Sequence, residues 1–366
     1  MDKVSIFAHT STSYAETLYS LLGKGKEHAR LVYREWYKTG KVTGQDPHFK
    51  NAQPLFQQIL ALTDFAYLPL SNKGSENATQ KYLLQTQDGL EIEMVLIPMR
   101  AGYTLCLSSQ VGCRMGCAFC ETGKMGLLRS LSTEEIVSQL FQAKHHLKVD
   151  IRNLVFMGMG EPLDNYEAVM QAIRIFTDMQ GFGLGPSRIT ISTSGLVDKI
   201  YRLADEADPA LCLAVSVNAS CNETRNRLMP VNRSFDMAAL RAAMEAYTAH
   251  PRRRIFAEYV LIKGKTDSLE DAARLACYLK GLKVSVNLIP YNPQSRDCFE
   301  PPDQATIDAF YQKMKELDIL TFVRSTKGRQ IMAACGQLGN RELRKCKKTL
   351  VFSPDSGIFT FMNLSH

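Results

Sequence analysis

Between about residues 104 and 320, short apolar runs alternate with amphipathic stretches of helical period. The runs TLCLSS, NLVFMG, RITIST, LCLAVSV, IFAEYVLI and VSVNLI have the length and composition of strands. Between or after them, residues 132–148, 164–179, 197–206, 235–248, 268–281 and 303–317 place apolar side chains three or four apart and predict helices. The first of these helices opens with the capping box Ser132-x-x-Glu135. Six βα units in series predict an α/β fold with a parallel sheet and right-handed crossovers. Fewer than eight units predicts a partial (βα)6 barrel, open rather than closed, with its chemistry at the carboxyl ends of the strands.

Outside this core the patterns change. EHARLVYREWY has a helical period, and residues 1–75 are expected to form a small helical accessory domain that contributes to RNA binding, ending in SNKGSENATQ, a Ser/Asn/Gly-rich stretch that looks like a linker. KYLLQTQ and LEIEMVLIP flank Asp88-Gly89, a strong hairpin signal, so 76–103 are expected to be a β-hairpin linking extension. Glu91 and Glu93 alternate with Ile92 and Met94, and such carboxylates on one face of a strand ordinarily meet solvent. Residues 104–320 then form the barrel core. A C-terminal extension, 321–366, holds the short strand LTFV, a basic segment and a second hairpin candidate at Asp355-Ser356-Gly357.

With 366 residues and 45% hydrophobic content, the chain can bury a large catalytic core. Lys and Arg outnumber Asp and Glu by 44 to 37, a net charge of +7 that favours an acidic partner, nucleic acid first. The N-terminus shows no basic flank leading into an apolar run, and no stretch is long enough to cross a bilayer. Ten cysteines are too few for a disulfide-stapled scaffold of this size, and three crowd into eight residues. These features point to a reducing, cytoplasmic setting.

The three crowded residues form Cys113-x3-Cys117-x2-Cys120, in a loop made so by Gly112 and Gly116. Three thiolates can hold three irons of a 4Fe-4S cluster and leave the fourth iron open to a small ligand. Zinc is the competing reading, but a structural zinc site is closed by four ligands, and His145 and His146 lie a helix away. By themselves, GEP at 160–162 reads as a turn, Cys106 as a small buried strand residue, and Cys335 as either a structural or a reactive loop thiol.

Taken together, LCLSSQVGCRMGCAFCETGKMG, MGMGEPLDN, ISTSG, LMPVN, NLIPYNP and AACGQL resemble the RlmN/Cfr family of radical-SAM ribosomal RNA adenine methyltransferases, from about residue 20 to 348. The resemblance implies a 4Fe-4S cluster on Cys113, Cys117 and Cys120, and two molecules of S-adenosyl-L-methionine per turnover. It assigns binding of that cofactor to Gly160, Glu161, Ser192, Ser216, Val217, Asn218 and Asn292. It further implies that Cys335 is methylated first, that a radical formed on its methyl group adds to an adenine carbon, that Glu93 takes the ring proton, and that Cys106 then attacks Cys335 to free the RNA and leave a disulfide. Cys212, Cys221, Cys277, Cys298 and Cys346 match no motif.

Two features depart from the family pattern: Asn218 stands where relatives commonly have His, and Glu121 lies in an unusual ETGKMGLLRS. The family has a branch that makes 2-methyladenosine and one that makes 8-methyladenosine, and no motif here separates them, so C2 is preferred on frequency alone. Expected partners are ribosomal RNA and in some members transfer RNA, an electron donor for the cluster and a disulfide reductant. No membrane is involved, and the chain is expected to be a monomer. Arg324, Lys327, Arg329, Arg341, Arg344, Lys345, Lys347 and Lys348 surround Cys335 with positive charge suited to phosphate, while Arg252-Arg253-Arg254 and Lys24, Lys26, Arg30 and Arg34 are candidates to extend that surface. Two alternatives stay open: a radical-SAM enzyme acting on another RNA, a protein or a small molecule, and a non-catalytic zinc-binding RNA-interaction protein.

Overall fold

The computed structural model describes residues 3–294, 298–324 and 327–339. At the N-terminus β1 (Val4–Ser5) pairs in parallel with β2 (Thr63–Asp64), and α1 (Ser11–Leu22), α2 (Lys26–Thr39) and α3 (Gln53–Leu62) lie between them in sequence. In α2, Ala29, Val32, Tyr33 and Tyr37 are the buried positions, an apolar stripe at helical spacing. That side of the N-terminal region meets the rest of the chain through aromatic rings. Trp36 stacks on Phe141 at 4.8 Å, Phe7 meets Phe141 edge-on at 5.1 Å, and Tyr37 meets Phe182 at 4.8 Å. These helices therefore share one continuous apolar core with the barrel.

Next come β3 (Leu70–Glu76), β4 (Thr79–Gln85) and β5 (Glu91–Pro98), an antiparallel meander. The Asp88-Gly89 hairpin forms as expected, with Gln85 opposite Glu91. The expected linker SNKGSENATQ is corrected: most of it is β3 and the turn into β4. Asn77 and Ala78 take φ of 44° and 65°, and a two-residue turn with both φ positive matches the twist of paired strands. The turn signal is real, but it joins two strands rather than two domains.

The barrel begins with β6 (Tyr103–Cys106). It is followed by β7 (Gln110–Val111), α4 (Glu121–Met125), β8 (Arg129–Ser130), α5 (Thr133–Phe141), β9 (Ile151–Phe156) and α6 (Tyr166–Thr177). The alternation continues through β10 (Ile189–Thr193), α7 (Val197–Glu206), β11 (Cys212–Ser216), α8 (Asn222–Leu228), α9 (Met237–Thr248), β12 (Ile255–Leu261), α10 (Leu269–Leu279), β13 (Val284–Pro290), α11 (Gln304–Glu316) and β14 (Thr321–Val323).

All six expected strands form and lie in chain order, β6-β9-β10-β11-β12-β13, each parallel to the next. β14 adds a seventh parallel strand. The antiparallel meander joins at β6, so the ten-stranded sheet runs from β14 to β3 and has two ends, as a partial barrel requires. The chain-order arrangement leaves all six βα loops on one rim, which is where the chemistry-bearing segments fall. Among the described residues no helix is long and apolar enough to cross a membrane.

Phe141 is fully buried and touches Phe7, Trp36, Tyr67 and His145. Phe141→Ala should cost about 3–5 kcal/mol, read as a lower urea midpoint for the whole molecule. A loss confined to the N-terminal helices would show that the core is not shared.

Candidate active site

The three-cysteine loop connects β7 to α4 and is shaped by backbone contacts. Gly112, at φ +77°, lets the chain pass so close to Gly126 that a Cβ would sit 1.9 Å from the Gly126 carbonyl oxygen, and the Cys113 N–H donates to that same oxygen at 3.1 Å. The Ala118 N–H donates to the Leu228 carbonyl at 2.9 Å, tying the loop to the end of α8. Cys113, Cys117 and Cys120 all line one cavity of about 170 Å³.

Among the described residues no three His, Cys, Asp or Glu side chains close on a single ion position. Three thiols spread over one cavity wall fit a multi-iron cluster, which presents several metal corners. Burial pushes all three thiols above their ordinary range, so taking up iron must release their protons.

The other walls of this cavity come from strand carboxyl ends. Gly160 follows β9 with φ +105°, where a Cβ would lie 2.6 Å from the Gln110 side chain, and Glu161 comes next. The Glu161 carboxylate is buried and accepts from the Ser194 N–H at 2.7 Å and the Leu163 N–H at 3.1 Å, while the Glu161 N–H donates to Gln110 Oε1 at 2.9 Å. Burial raises its pKa, and the Ser194 backbone N–H opposes the rise.

Ser192 on β10, Ser216 and Asn218 at β11, and Asn292 after β13 line the same space. Val217 does not: its side chain is fully buried in the apolar core, and its carbonyl accepts from Arg225 Nε at 3.0 Å. Asn218 takes φ +54°, a conformation asparagine tolerates better than most residues. Its Oδ1 accepts the Val260 N–H at 3.0 Å and its Nδ2 points at Met229 Sδ, so its amide braces β12.

Cys335 lies in the 333–339 segment, which is held against the cysteine loop from several sides. The Glu121 N–H donates to the Gly336 carbonyl at 2.8 Å, Thr122 Oγ1 to the Leu338 carbonyl at 2.6 Å, and Asn292 Nδ2 to the Cys335 carbonyl at 3.2 Å. Gln294 Nε2 bridges the Phe119 and Gly336 carbonyls at 2.5 and 3.0 Å, and Gln337 Nε2 donates to the Pro293 carbonyl at 2.7 Å. Cys335 is solvent-exposed, and it lines both the three-cysteine cavity and a second cavity of about 250 Å³.

The second cavity contains Cys106. Cys106 is buried at the end of β6, and burial, then the nearby Cys335, push its thiol above the ordinary range. Glu93 shares a face of the sheet with Val95, which lies directly opposite Cys106. It is buried, in contrast to the solvated reading of its isolated pattern, but it lines neither cavity. Its carboxylate accepts from Lys81 Nζ at 3.4 Å and from the Gly339 N–H at 3.2 Å, so it abuts the segment that carries Cys335. Burial raises its pKa, against Lys81 and the Gly339 N–H.

Sequence reasoning missed Gln110, Glu258, Asn287 and Gln294, all of which support or line these cavities, while Arg324, expected there as a phosphate contact, lines the cavity of Cys106. Of the basic candidates, Arg341, Arg344, Lys345, Lys347 and Lys348 lie outside the described residues, as do Cys346 and the Asp355-Ser356-Gly357 hairpin. Arg253 is corrected from a surface candidate to a buried one: its guanidinium donates to the Ala204 and Ala207 carbonyls at the end of α7. Lys26, Arg30 and Arg34 pair with Glu16, Glu27 and Asp46.

Residues 107–276 match the model of the Radical SAM superfamily. The probable dual-specificity RNA methyltransferase RlmN 1 of Protochlamydia amoebophila is 55% identical over 344 residues, covering 94% of this chain and 96% of that protein. The dual-specificity RNA methyltransferase RlmN of Geotalea uraniireducens is 41% identical over 88% of this chain and 93% of its own length. The crystal structure of a radical SAM methyltransferase from Sphaerobacter thermophilus superposes with a TM-score of 0.84 at 37% identity, over 91% of this chain and 98% of that one.

After anaerobic iron and sulfide loading, the wild type should be brown, and Cys113→Ala, Cys117→Ala and Cys120→Ala should each lose most of the bound iron. Cys212→Ala and Cys277→Ala should keep it. Elemental analysis reads the difference, and zinc in place of iron would contradict the assignment.

Proposed function

The chain belongs to the RlmN family of RNA methyltransferases within the radical SAM superfamily, and on that premise we propose that it methylates an adenine ring carbon, C2 by preference, in ribosomal RNA and also in transfer RNA. The observation that carries this reading is the position of Cys335. It borders the cavity of the three cysteines on one side and the cavity of Cys106 on the other, as a residue must that collects a methyl group in one place and delivers it in another.

Cys113, Cys117 and Cys120 would hold a 4Fe-4S cluster, with Glu161, Gly160, Ser192, Ser216, Asn218 and Asn292 around S-adenosylmethionine. When bound, that pair supplies both the methyl group and a carbon radical strong enough to take hydrogen from a methyl. Protein groups do the rest. The Cys335 thiol gives up its proton and accepts a methyl, and Asn292, by holding the Cys335 carbonyl, keeps that methyl facing the cofactor cavity.

After the carrier carbon has bonded to the adenine ring, the hydrogen at the attacked carbon must leave as a proton and the unpaired electron on the ring must pass to an acceptor, a role the bound cluster would supply. Glu93 is suited to this: its buried carboxyl holds protons more tightly than an exposed one and sits against the carrier segment. The Cys106 thiolate then attacks the Cys335 sulfur, the carbon–sulfur bond breaks with its electron pair staying on the RNA methylene carbon, that carbon takes up a proton to become the methyl group, and a disulfide remains for an external dithiol to reduce. Two consumed cofactors, an electron donor, a monomeric state and a cytoplasmic location complete the proposal. A zinc-binding adaptor role is disfavoured, because the likeness to methyltransferases spans nearly the whole chain.

Cys106→Ala should accumulate RNA covalently joined to Cys335, seen as a slow band on denaturing gels; release of methylated RNA at the wild-type rate would refute the resolving role. Nucleoside mass spectrometry of RNA from a strain lacking the gene should show loss of 2-methyladenosine. Loss of 8-methyladenosine would move the target to C8, and an unchanged profile would remove the ribosomal assignment.

A further inference from the structure

Glu258 sits in the middle of β12, is 5% exposed, and lines both cavities together with Met157 and Cys335. Its Oε1 accepts from Asn287 Nδ2 at 2.7 Å. Its Oε2 is buried without a hydrogen-bond partner, the nearest cation being Arg324 Nη1 at 3.8 Å. Asn287 and Arg324 line the cavity of Cys106 and do not line that of the three cysteines, so the carboxyl head lies on the side of the cavity that Cys106 and Cys335 share. A buried acceptor with no donor is costly unless a ligand supplies one.

We propose that Glu258 Oε2 receives the exocyclic amino group of the target adenine, making this side chain the specificity determinant of the base pocket. The assignment rests on the preceding reading, in which Cys335 delivers its methyl group to the adenine, and it places that base in the cavity Cys335 shares with Cys106. Adenine offers an N–H donor at C6, whereas guanine and hypoxanthine place a carbonyl oxygen there, which would face the carboxylate lone pair to lone pair. Asn287 fixes the carboxyl plane, and Arg324, beyond hydrogen-bond reach, balances its charge while leaving Oε2 free.

The test uses the full-length, iron-loaded protein and two synthetic RNA hairpins built on the substrate sequence that nucleoside analysis identifies. One carries adenosine at the target position, and the other carries purine riboside, which lacks only the amino group. Wild type should methylate the purine hairpin on the order of 10²-fold or more slowly in kcat/KM. Glu258→Ala, and Glu258→Leu as a space-filling second variant, should be slow on adenosine and no longer separate the two RNAs, with iron content and the methylated Cys335 peptide retained.

Equal wild-type rates on both hairpins, or variants that still reject purine, would overturn the assignment while leaving the methyltransferase reading intact. So would variants whose Cys335 stays unmethylated, since the carboxyl would then serve the loading step. A wild type inactive on every adenosine hairpin would remove both.

Discussion

The segment around Cys335 has no regular secondary structure, so its place is set by the donors and acceptors that surround it. Those groups come from regions far apart in sequence: α4 through Glu121 and Thr122, the loop after β13 through Asn292 and Gln294, and β5 through Glu93. Each bond joins a backbone group of the 333–339 segment to a fixed partner, and a buried backbone group that lost its partner would be penalised. The Cys335 thiol is thus held at the shared wall of two cavities, both of which the segment helps to line. The proposed chemistry depends on that one placement.

The rim of the barrel supports it by a related device. Polar side chains at the strand ends bind each other's backbones: Glu161 takes the Ser194 N–H, Gln110 takes the Glu161 N–H, and Asn218 takes the Val260 N–H. Arg225, fully buried, spends its guanidinium on the carbonyls of Ser194, Ser216 and Val217 and on Asn232. Adjacent strand ends are tied to one another by these hydrogen bonds, and Glu161, Ser192, Ser216 and Asn218 there line the cavity of the three cysteines.

Much of this architecture is legible in the order of residues alone. The six strands and α7, 197–206, follow from periodicity, because a parallel sheet buried under helices repeats one simple pattern. The cysteine spacing names its chemistry because three ligands in eight residues leave few other uses. What stays hidden depends on long-range pairing. Gln294 acts on Phe119, 175 residues earlier, and Glu258 looks like one polar interruption in an apolar strand until Asn287 and Arg324 are beside it. Arg253 reads as surface charge because nothing in RRR announces that the end of α7 offers it two carbonyls. Asn218, where the resemblance led to an expectation of histidine, is understood from its positive φ and its hold on β12.

The proposed chemistry requires Cys335 to carry a methyl group, and the mass of its own peptide tests that most directly. Iron-loaded protein given S-adenosylmethionine and reductant but no RNA, then digested, should yield the Cys335 peptide heavier by one methyl group, with the Cys106 peptide unchanged. A Cys335 peptide of unmodified mass, from protein that demonstrably cleaves S-adenosylmethionine, would contradict it.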